Sequence, residues 1–165
     1  MMASASDRIE KRVFLRAPRE RVWRAISDYQ QFGAWFGVAF DRAFVEGVTL
    51  AGTCVPTTVD PEVAKQQETY AGTRFEIVID RIEPMRHFSF RWHPFAVEVG
   101  VDYSHEPMTT VTFALDAADG GTLLIVTETG FDGVPLARRL AAFEANDEGW
   151  TEQIALVEKY VMLPA

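Results

Sequence analysis

The sequence has little cysteine, no basic segment and no long hydrophobic run. Its single cysteine, Cys54, excludes a disulfide framework and a thiolate metal cluster. The formal net charge is −8 and no run of Lys and Arg occurs, so we expect no nucleic-acid partner. No apolar stretch approaches the roughly 20 residues that span a bilayer, and no secretory signal is recognisable. We therefore expect a cytoplasmic protein that does not insert into membranes.

Motifs for common chemistries are missing as well. The glycines form neither a P-loop nor a G-x-G-x-x-G motif, and no G-x-S-x-G nucleophile motif occurs. Three histidines lack the spacing of a metal-ligand set. Two of them, His87 and His93, alternate with Phe88, Phe90 and Trp92, which predicts that both histidines face solvent. We expect no metal and no cofactor.

Apolar and aromatic residues are abundant. Of the 165 residues 48% are hydrophobic, with 12 Phe, 4 Trp and 4 Tyr. A chain of this length can bury a sizeable core, so we expect one domain over residues 1–165, with residues 1–8 flexible. The aromatic side chains predict either a packed core or a pocket with aromatic walls.

The pattern of hydrophobic residues predicts one strand, two short helices, a run of strands and one long helix. The first strand is 9–17, Pro18 opens the first helix, and 30–37 is the second. The remaining strands are predicted at 38–47 and 48–59, with a turn at Glu46-Gly47, then at 73–84, 86–95 and 108–131, the last holding two strands joined at Asp119-Gly120-Gly121. Residues 60–72 are predicted to be a loop, 96–107 irregular, and 135–161 a helix. Consecutive strands favour an α+β fold with an antiparallel sheet.

The predicted C-terminal helix has an apolar stripe interrupted by an acid. Asp147 falls among the apolar residues Leu136, Leu140, Phe143, Trp150, Ile154, Val157 and Val161. Either the helix turns or bends so that the carboxylate reaches water, or the stripe faces a solvated cavity. A dry core is the least compatible alternative, since a bare buried carboxylate costs several kcal/mol. We interpret Asp147 as a residue of a helix that covers a cavity.

Glu128 is the second acid of interest. It shares one face of the last strand with Leu124 and Val126, while the intervening residues form the other face. The pattern allows either face to be the inner one. If Glu128 and Asp147 faced one cavity, they would form a carboxylate pair suited to acid–base catalysis.

Four segments, in this order, resemble a known superfamily. They are APRERVWRAISDYQQFGAWF (17–36), FEIVIDRIEPMRHFSFRW (75–92), GTLLIVTETGF (121–131) and NDEGWTEQIALVEKY (146–160). The chain resembles the helix-grip, START-like (SRPBCC) superfamily of the Bet v 1 allergen, polyketide cyclases and lipid-transfer domains. Within it, the chain is most similar to the AHSA1-like branch, named after the activator of the Hsp90 ATPase.

The resemblance implies a curved antiparallel sheet of about six to seven strands, wrapped around the long C-terminal helix, with a cavity between them. It favours the inward orientation of Glu128. Segments 60–72 and 95–107 are longer than in the commoner family pattern and could border the cavity mouth.

Three functions follow as hypotheses. The favoured one is binding of a small hydrophobic or aromatic ligand, lipid- or polyketide-like, in that cavity. The predicted lining is Trp35, Phe36, Phe75, Ile77, Phe90, Trp92, Phe113, Glu128, Phe143, Asp147 and Trp150. The alternatives are a cyclase, dehydratase or hydrolase that uses Glu128 and Asp147, and stimulation of the Hsp90 ATPase. The oligomeric state is left open.

Overall fold

A seven-stranded antiparallel sheet forms one layer of the molecule. The computed structural model describes residues 7–96 and 100–164. The strands are β1 (Arg8–Leu15), β2 (Val38–Phe40), β3 (Thr49–Cys54), β4 (Arg74–Glu83), β5 (His87–Trp92), β6 (Thr109–Ala118) and β7 (Gly121–Thr129). Their order across the sheet is β1-β7-β6-β5-β4-β3-β2, so β1 and β2 are the two edges. The predicted antiparallel sheet of six to seven strands is confirmed.

Helices form the second layer. They are α1 (Arg19–Ser27), α2 (Tyr29–Phe36), α3 (Pro61–Gln67) and α4 (Leu136–Met162), with 3-10 turns at Glu68–Tyr70 and Phe131–Gly133. At 27 residues, α4 is about 40 Å long. It packs against β1, α1 and α2. The two short helices after the first strand and the long C-terminal helix are as predicted, and the fold is of the helix-grip type. No helix among the described residues is both long and apolar enough to cross a bilayer.

The junctions around α2 explain how it comes to face α4. The Asp28 carboxylate caps α2 by accepting the backbone N–H of Gln30 at 2.8 Å. Gly37 ends the helix in the left-handed region, with φ of 95°. Earlier in α2, a Cβ on Gly33 would lie 2.1 Å from the carbonyl oxygen of Val38, so only glycine permits this approach of helix and strand. The tight return places Phe36 at the end of α2, beside α4.

An aromatic cluster forms part of the core between sheet and helices. Phe32 is at its centre, and its ring centroid lies 5.9 Å from that of Phe113 and 6.4 Å from those of Phe88 and Phe90. Each of these side chains is at most 1% exposed. Tilted and edge-on ring contacts of this kind add to the burial of apolar surface. This part of the interior is a packed core.

One predicted connection is wrong, and a second is longer than predicted. Residues 60–72 were expected to be a loop, but they contain α3 and a 3-10 turn. The Asp60 carboxylate accepts the backbone N–H groups of Glu62 and Val63 at the start of α3 and pairs with the Lys159 ammonium of α4. The strands β2 and β3 do pair, and a turn lies at Glu46-Gly47 as predicted, where the Val48 N–H donates to the Val45 carbonyl oxygen at 3.1 Å. The strands are shorter than predicted, since residues 41–48 join them and Phe44 of this segment enters the core.

Two expectations concern segments that are only partly described. Flexibility was expected for residues 1–8; β1 already begins at Arg8, and residues 1–6 lie outside the described part of the chain. Irregular structure was expected for 96–107; residue 96 and residues 100–107 belong to no helix or strand, and 97–99 lie outside the described residues.

Candidate functional site

A buried carboxylate lies between the sheet and α4. On β7, the alternating residues Thr122, Leu124, Val126 and Glu128 are buried, and each is at most 1% exposed. The side chain of Glu128 therefore continues the apolar inner face of the strand into the interior. Burying a carboxylate is costly unless its oxygens are hydrogen-bonded.

Four neutral side chains from three elements donate to Glu128. The indole N–H groups of Trp92 and Trp150 each donate at 2.8 Å, to different carboxylate oxygens. The Thr109 hydroxyl donates at 2.6 Å, and the amide nitrogen of Asn146 lies 2.9 and 3.1 Å from the two oxygens. Indole nitrogen is only a donor, which matches the acceptor-only character of a carboxylate. The network joins β5, β6 and α4 through one residue of β7.

Three aromatic rings stand beside this network. The centroids of Trp92 and Trp150 are 6.0 Å apart, and Phe36 lies 6.2 Å from the first and 6.0 Å from the second. A hydrogen bond fixes the backbone of Phe36: the side-chain amide of Gln153 donates to the Phe36 carbonyl oxygen at 3.1 Å. The Gln67 amide of α3 reaches the same oxygen at 3.4 Å.

A half-open pocket of about 100 Å³ lies among these residues. Its lining is Phe36, Trp92, Ala145, Asn146, Gly149, Trp150 and Gln153. The side-chain oxygen of Gln153 is buried and has no hydrogen-bond partner among the described residues. An acceptor left without a donor is uncommon in a folded protein. A ligand or water with an N–H or O–H group would satisfy it.

Asp147 lies outside this pocket. Its side chain is 47% exposed and its carboxylate pairs with the Lys11 ammonium of β1 at 2.9 Å. Of the alternatives raised by the sequence, the structure shows the one in which the helix turns the carboxylate towards water. Asp147 and Glu128 therefore do not form the carboxylate pair required by the enzyme hypothesis.

Most other predicted lining residues belong to the core. Phe36, Trp92 and Trp150 line the pocket, while Trp35, Ile77, Phe90 and Phe113 are each 1% exposed and do not line it. Phe75 is partly buried, with its ring 6.1 Å from that of Trp92. Phe143 is partly buried and packs on Phe131 at 5.2 Å.

Several pocket residues were not predicted from the sequence. Asn146, Gly149 and Gln153 lie three and four residues apart, which places them on one face of α4 with Trp150. That spacing is visible in the sequence, but two polar residues and a glycine do not mark a buried face. Thr109, which donates to Glu128 but does not line the pocket, likewise gave no signal in the sequence.

Other reactive side chains are elsewhere. Half-burial raises the pKa of the Cys54 thiol, which lowers the thiolate fraction available for nucleophilic attack. His87 and His93 are half-buried and not fully exposed as expected; His93 Nε2 lies 2.9 Å from the Glu106 carbonyl oxygen. Desolvation by burial lowers the pKa of His87. The described residues contain no cluster of His, Cys, Asp and Glu able to hold a metal ion.

A larger groove of about 400 Å³ lies at the β2 edge of the sheet. It is lined by residues of α2, β2 and the segment after β3, namely Tyr29, Gln30, Gly33, Ala34, Val38, Ala39, Phe40, Asp41, Val55, Pro56 and Thr58. No residue of α4 contributes to it. The groove is wider, but among its lining residues no buried side-chain atom lacks a hydrogen-bond partner, so the smaller pocket is the better candidate site.

Comparison with known proteins identifies the family. A family model described as Activator of Hsp90 ATPase homolog 1-like protein matches residues 16–162. The chain belongs to this family. Membership in the AHSA1 family confirms the resemblance carried by the four sequence segments. No curated protein matches the chain.

Several solved structures share the fold of this chain at low sequence identity. A protein from Arthrobacter aurescens is 20% identical with a TM-score of 0.71, covering 100% of this chain and 91% of that one. DynU16, from the dynemicin biosynthetic locus, is 22% identical with a TM-score of 0.65 over 93% of this chain, which spans only 46% of DynU16. The Aha1 dimer from Colwellia psychrerythraea is 12% identical with a TM-score of 0.62, covering 92% of each chain. At these identities the likeness shows the fold alone.

Proposed function

We propose that this protein binds a small, largely hydrophobic or aromatic molecule in the pocket between the sheet and α4. The observation that carries the proposal is the pocket itself, in which Phe36, Trp92 and Trp150 form aromatic walls beside buried polar groups. Apolar walls with a few convergent polar groups are typical of small-molecule sites. The helix-grip fold of the AHSA1 family is compatible with hydrophobic ligands.

The pocket volume limits the ligand. Sites that hold drug-sized molecules have roughly 300–1,000 Å³, whereas this pocket has about 100 Å³. It admits one ring or one short branched group. A whole lipid or polyketide would require the aromatic cluster around Phe32 to open, so we expect either a small ligand or one end of a longer molecule.

Gly149 supports a binding role for the pocket. It is the one glycine of α4, and a Cβ built there meets no atom within 4 Å. Glycine inside a helix is less favourable than alanine by about 1 kcal/mol. Since no steric clash requires glycine at this position, the open space it leaves in the pocket wall is a reason for its presence.

The two other hypotheses have less support. Acid–base catalysis by a Glu128–Asp147 pair lacks its geometry, because Asp147 pairs with Lys11 at the surface. Stimulation of the Hsp90 ATPase rests on the family description and stays a prediction. An ATPase assay with purified Hsp90 tests it, and an unchanged rate would contradict it.

Native mass spectrometry after incubation with a library of single-ring compounds tests the binding proposal. Gly149→Leu fills the pocket wall, and Glu148→Leu places the same side chain at the adjacent exposed position of α4 as the matched control. We expect bound mass on the unmodified protein and on Glu148→Leu, and its loss from Gly149→Leu. Failure of every compound to bind the unmodified protein, or equal binding to Gly149→Leu, would overturn the proposal.

A further inference from the structure

The charge of Glu128 has no cationic partner among the described residues. All of its hydrogen bonds come from neutral groups, those of Trp92, Thr109, Asn146 and Trp150. No Lys, Arg or His of the described chain lies within ion-pair distance of its carboxylate, although other acids such as Asp147 and Glu106 have such partners. Buried charges are usually paired or bound to a cation. The interior therefore holds a negative charge that a ligand could balance.

Two of the pocket walls are coupled to this charge. Trp92 and Trp150 line the pocket and also donate their indole N–H groups to Glu128 at 2.8 Å. A hydrogen bond from an indole to an anion shifts electron density into the ring, because bonded groups polarise one another. The π-face of an aromatic ring is its negative part. Both indoles therefore present a more negative surface to the pocket than free indoles would.

The polar atoms available to a ligand are acceptors. The Gln153 side-chain oxygen is buried without a partner among the described residues, and it belongs to a residue that lines the pocket. The Asn146 amide nitrogen is engaged by both oxygens of Glu128, which orients its carbonyl oxygen as the remaining acceptor. Such a site favours a ligand that carries positive charge or donates hydrogen bonds, and it disfavours an anion.

From these contacts we propose that the pocket selects a small organic cation, an ammonium group carrying methyl or aryl substituents. The cation packs on Phe36, Trp92 and Trp150, and Glu128 serves as the counter-ion behind the two indoles. Aromatic walls of this kind recognise alkylated ammonium groups in other proteins. This inference rests on the proposed function of the same pocket and adds the charge of its ligand.

Paired probes of equal shape test the charge. Choline and its neutral isostere 3,3-dimethyl-1-butanol differ in the replacement of a quaternary nitrogen by carbon. Binding is followed by isothermal titration calorimetry and by tryptophan fluorescence. We expect choline to bind at least about tenfold more tightly than the alcohol. Equal affinities for the two probes, or no binding of choline, would overturn the inference.

Charge-removing variants locate the effect. Glu128→Gln should reduce choline affinity about tenfold with little change for the neutral alcohol. Asp147→Asn removes one carboxylate at a half-exposed site of α4 and should leave both affinities unchanged. An equal loss in both variants would mean that the acidic surface attracts choline, and would contradict a pocket-specific effect.

A second variant covers the case in which Glu128→Gln does not fold. Phe36→Leu removes one ring but leaves the hydrogen bonds to Glu128 in place, so it should weaken choline binding and spare the alcohol. A loss of both probes to the same extent would contradict the cation assignment. Gly149→Leu separates the two proposals. If the unmodified protein binds both probes with equal affinity and Gly149→Leu binds neither, the pocket binds ligands but does not select cations.

Discussion

The interior has two aromatic regions, one a closely packed core and the other a set of hydrogen-bonded rings beside a pocket. Around Phe32 the buried rings of Phe88, Phe90 and Phe113 pack against one another and fill the space. Around Glu128 the rings of Trp92 and Trp150 are oriented by N–H groups that must reach a carboxylate. Hydrogen bonds fix distance and direction, whereas apolar contacts adapt to fill volume. The pocket occurs where side chains are directed by hydrogen bonds.

The largest expected effect tests the packed region. Phe113→Ala should lower the free energy of unfolding by about 3–5 kcal/mol, because a buried ring is lost and a cavity remains. Phe14→Ala, at a phenylalanine that is 41% exposed on β1, is the control and should cost about 1 kcal/mol or less. Urea unfolding measures both. Similar losses would mean that the aromatic cluster is not tightly packed.

The next effect compares two buried indoles. Trp150→Phe keeps a ring but removes a donor to the Glu128 carboxylate, and should cost about 1.5–3 kcal/mol. In Trp35→Phe the lost bond, at 2.8 Å, goes to the neutral carbonyl oxygen of Ala25, and the expected cost is about 0.5–1.5 kcal/mol. Thermal and urea unfolding of the two variants give the difference. A larger loss at Trp35 would show that the carboxylate network does not stabilise the region around Glu128.

A smaller effect, an increase in stability, is expected where the space beside Gly149 is partly filled. Gly149→Ala should raise the free energy of unfolding by about 0.5–1 kcal/mol, because alanine favours the helix and a Cβ there meets no neighbouring atom. Ala155→Gly, at an exposed position of the same helix, measures the difference in helix propensity between alanine and glycine. It should lower the free energy of unfolding by about the amount that Gly149→Ala raises it. Differential scanning calorimetry measures both. A destabilised Gly149→Ala would show that the space is needed for folding.

The smallest effect separates the two acids of the sequence. Asp147→Asn should cost at most about 0.5 kcal/mol, since ion pairs at half-exposed positions contribute little and are screened by salt. Lys11→Met completes a double-mutant cycle for the pair. Unfolding at low and high ionic strength measures the coupling. A cost as large as that of Trp150→Phe, unaffected by salt, would place Asp147 in the interior after all.

Strands were predictable from this sequence because burial alternates along them. In β7 the inner set of Thr122, Leu124, Val126 and Glu128 follows a strict period of two. The hairpin to β6 turns at residues 119–120 of the predicted 119–121, and Gly121 already belongs to β7. The helix α3 was missed because its sequence, PEVAKQQ, has no apolar face and its residues are not buried. Its start is nonetheless marked by Asp60 and Pro61, the residues typical of a helix N-terminus.

The side of α4 that faces the core was not predicted correctly from the sequence. The predicted stripe from Leu136 to Val161 alternates steps of four and three, which is a 3.5-residue period. At 100° per residue, Leu136, Leu140 and Asp147 lie to one side of Trp150, whereas the buried Ala142 and Leu156 lie to the other side. The buried face is therefore rotated away from the predicted stripe, and Leu136 and Leu140 are 80% and 63% exposed. The same rotation moves Asp147 out of the interior and Asn146 towards Glu128. The composition of the pocket depends on that rotation, which only packing against the sheet determines.

The pairing of β1 with β7 has a consequence for how the chain is made. Leu15 lies opposite Thr122 and Arg8 opposite Thr129, so the first strand meets its one hydrogen-bonding neighbour more than 100 residues later. Contacts so distant in sequence slow folding, because the entropy of closing a long loop is lost before the strands stabilise each other. While the protein emerges from the ribosome, β1 has no partner strand until β7, the last strand of the sheet, has been synthesised. We expect Ile9 and Leu15 to stay exposed to solvent during that time. We expect the nascent chain to depend on chaperones during that interval and to become resistant to proteases only after β7 has emerged.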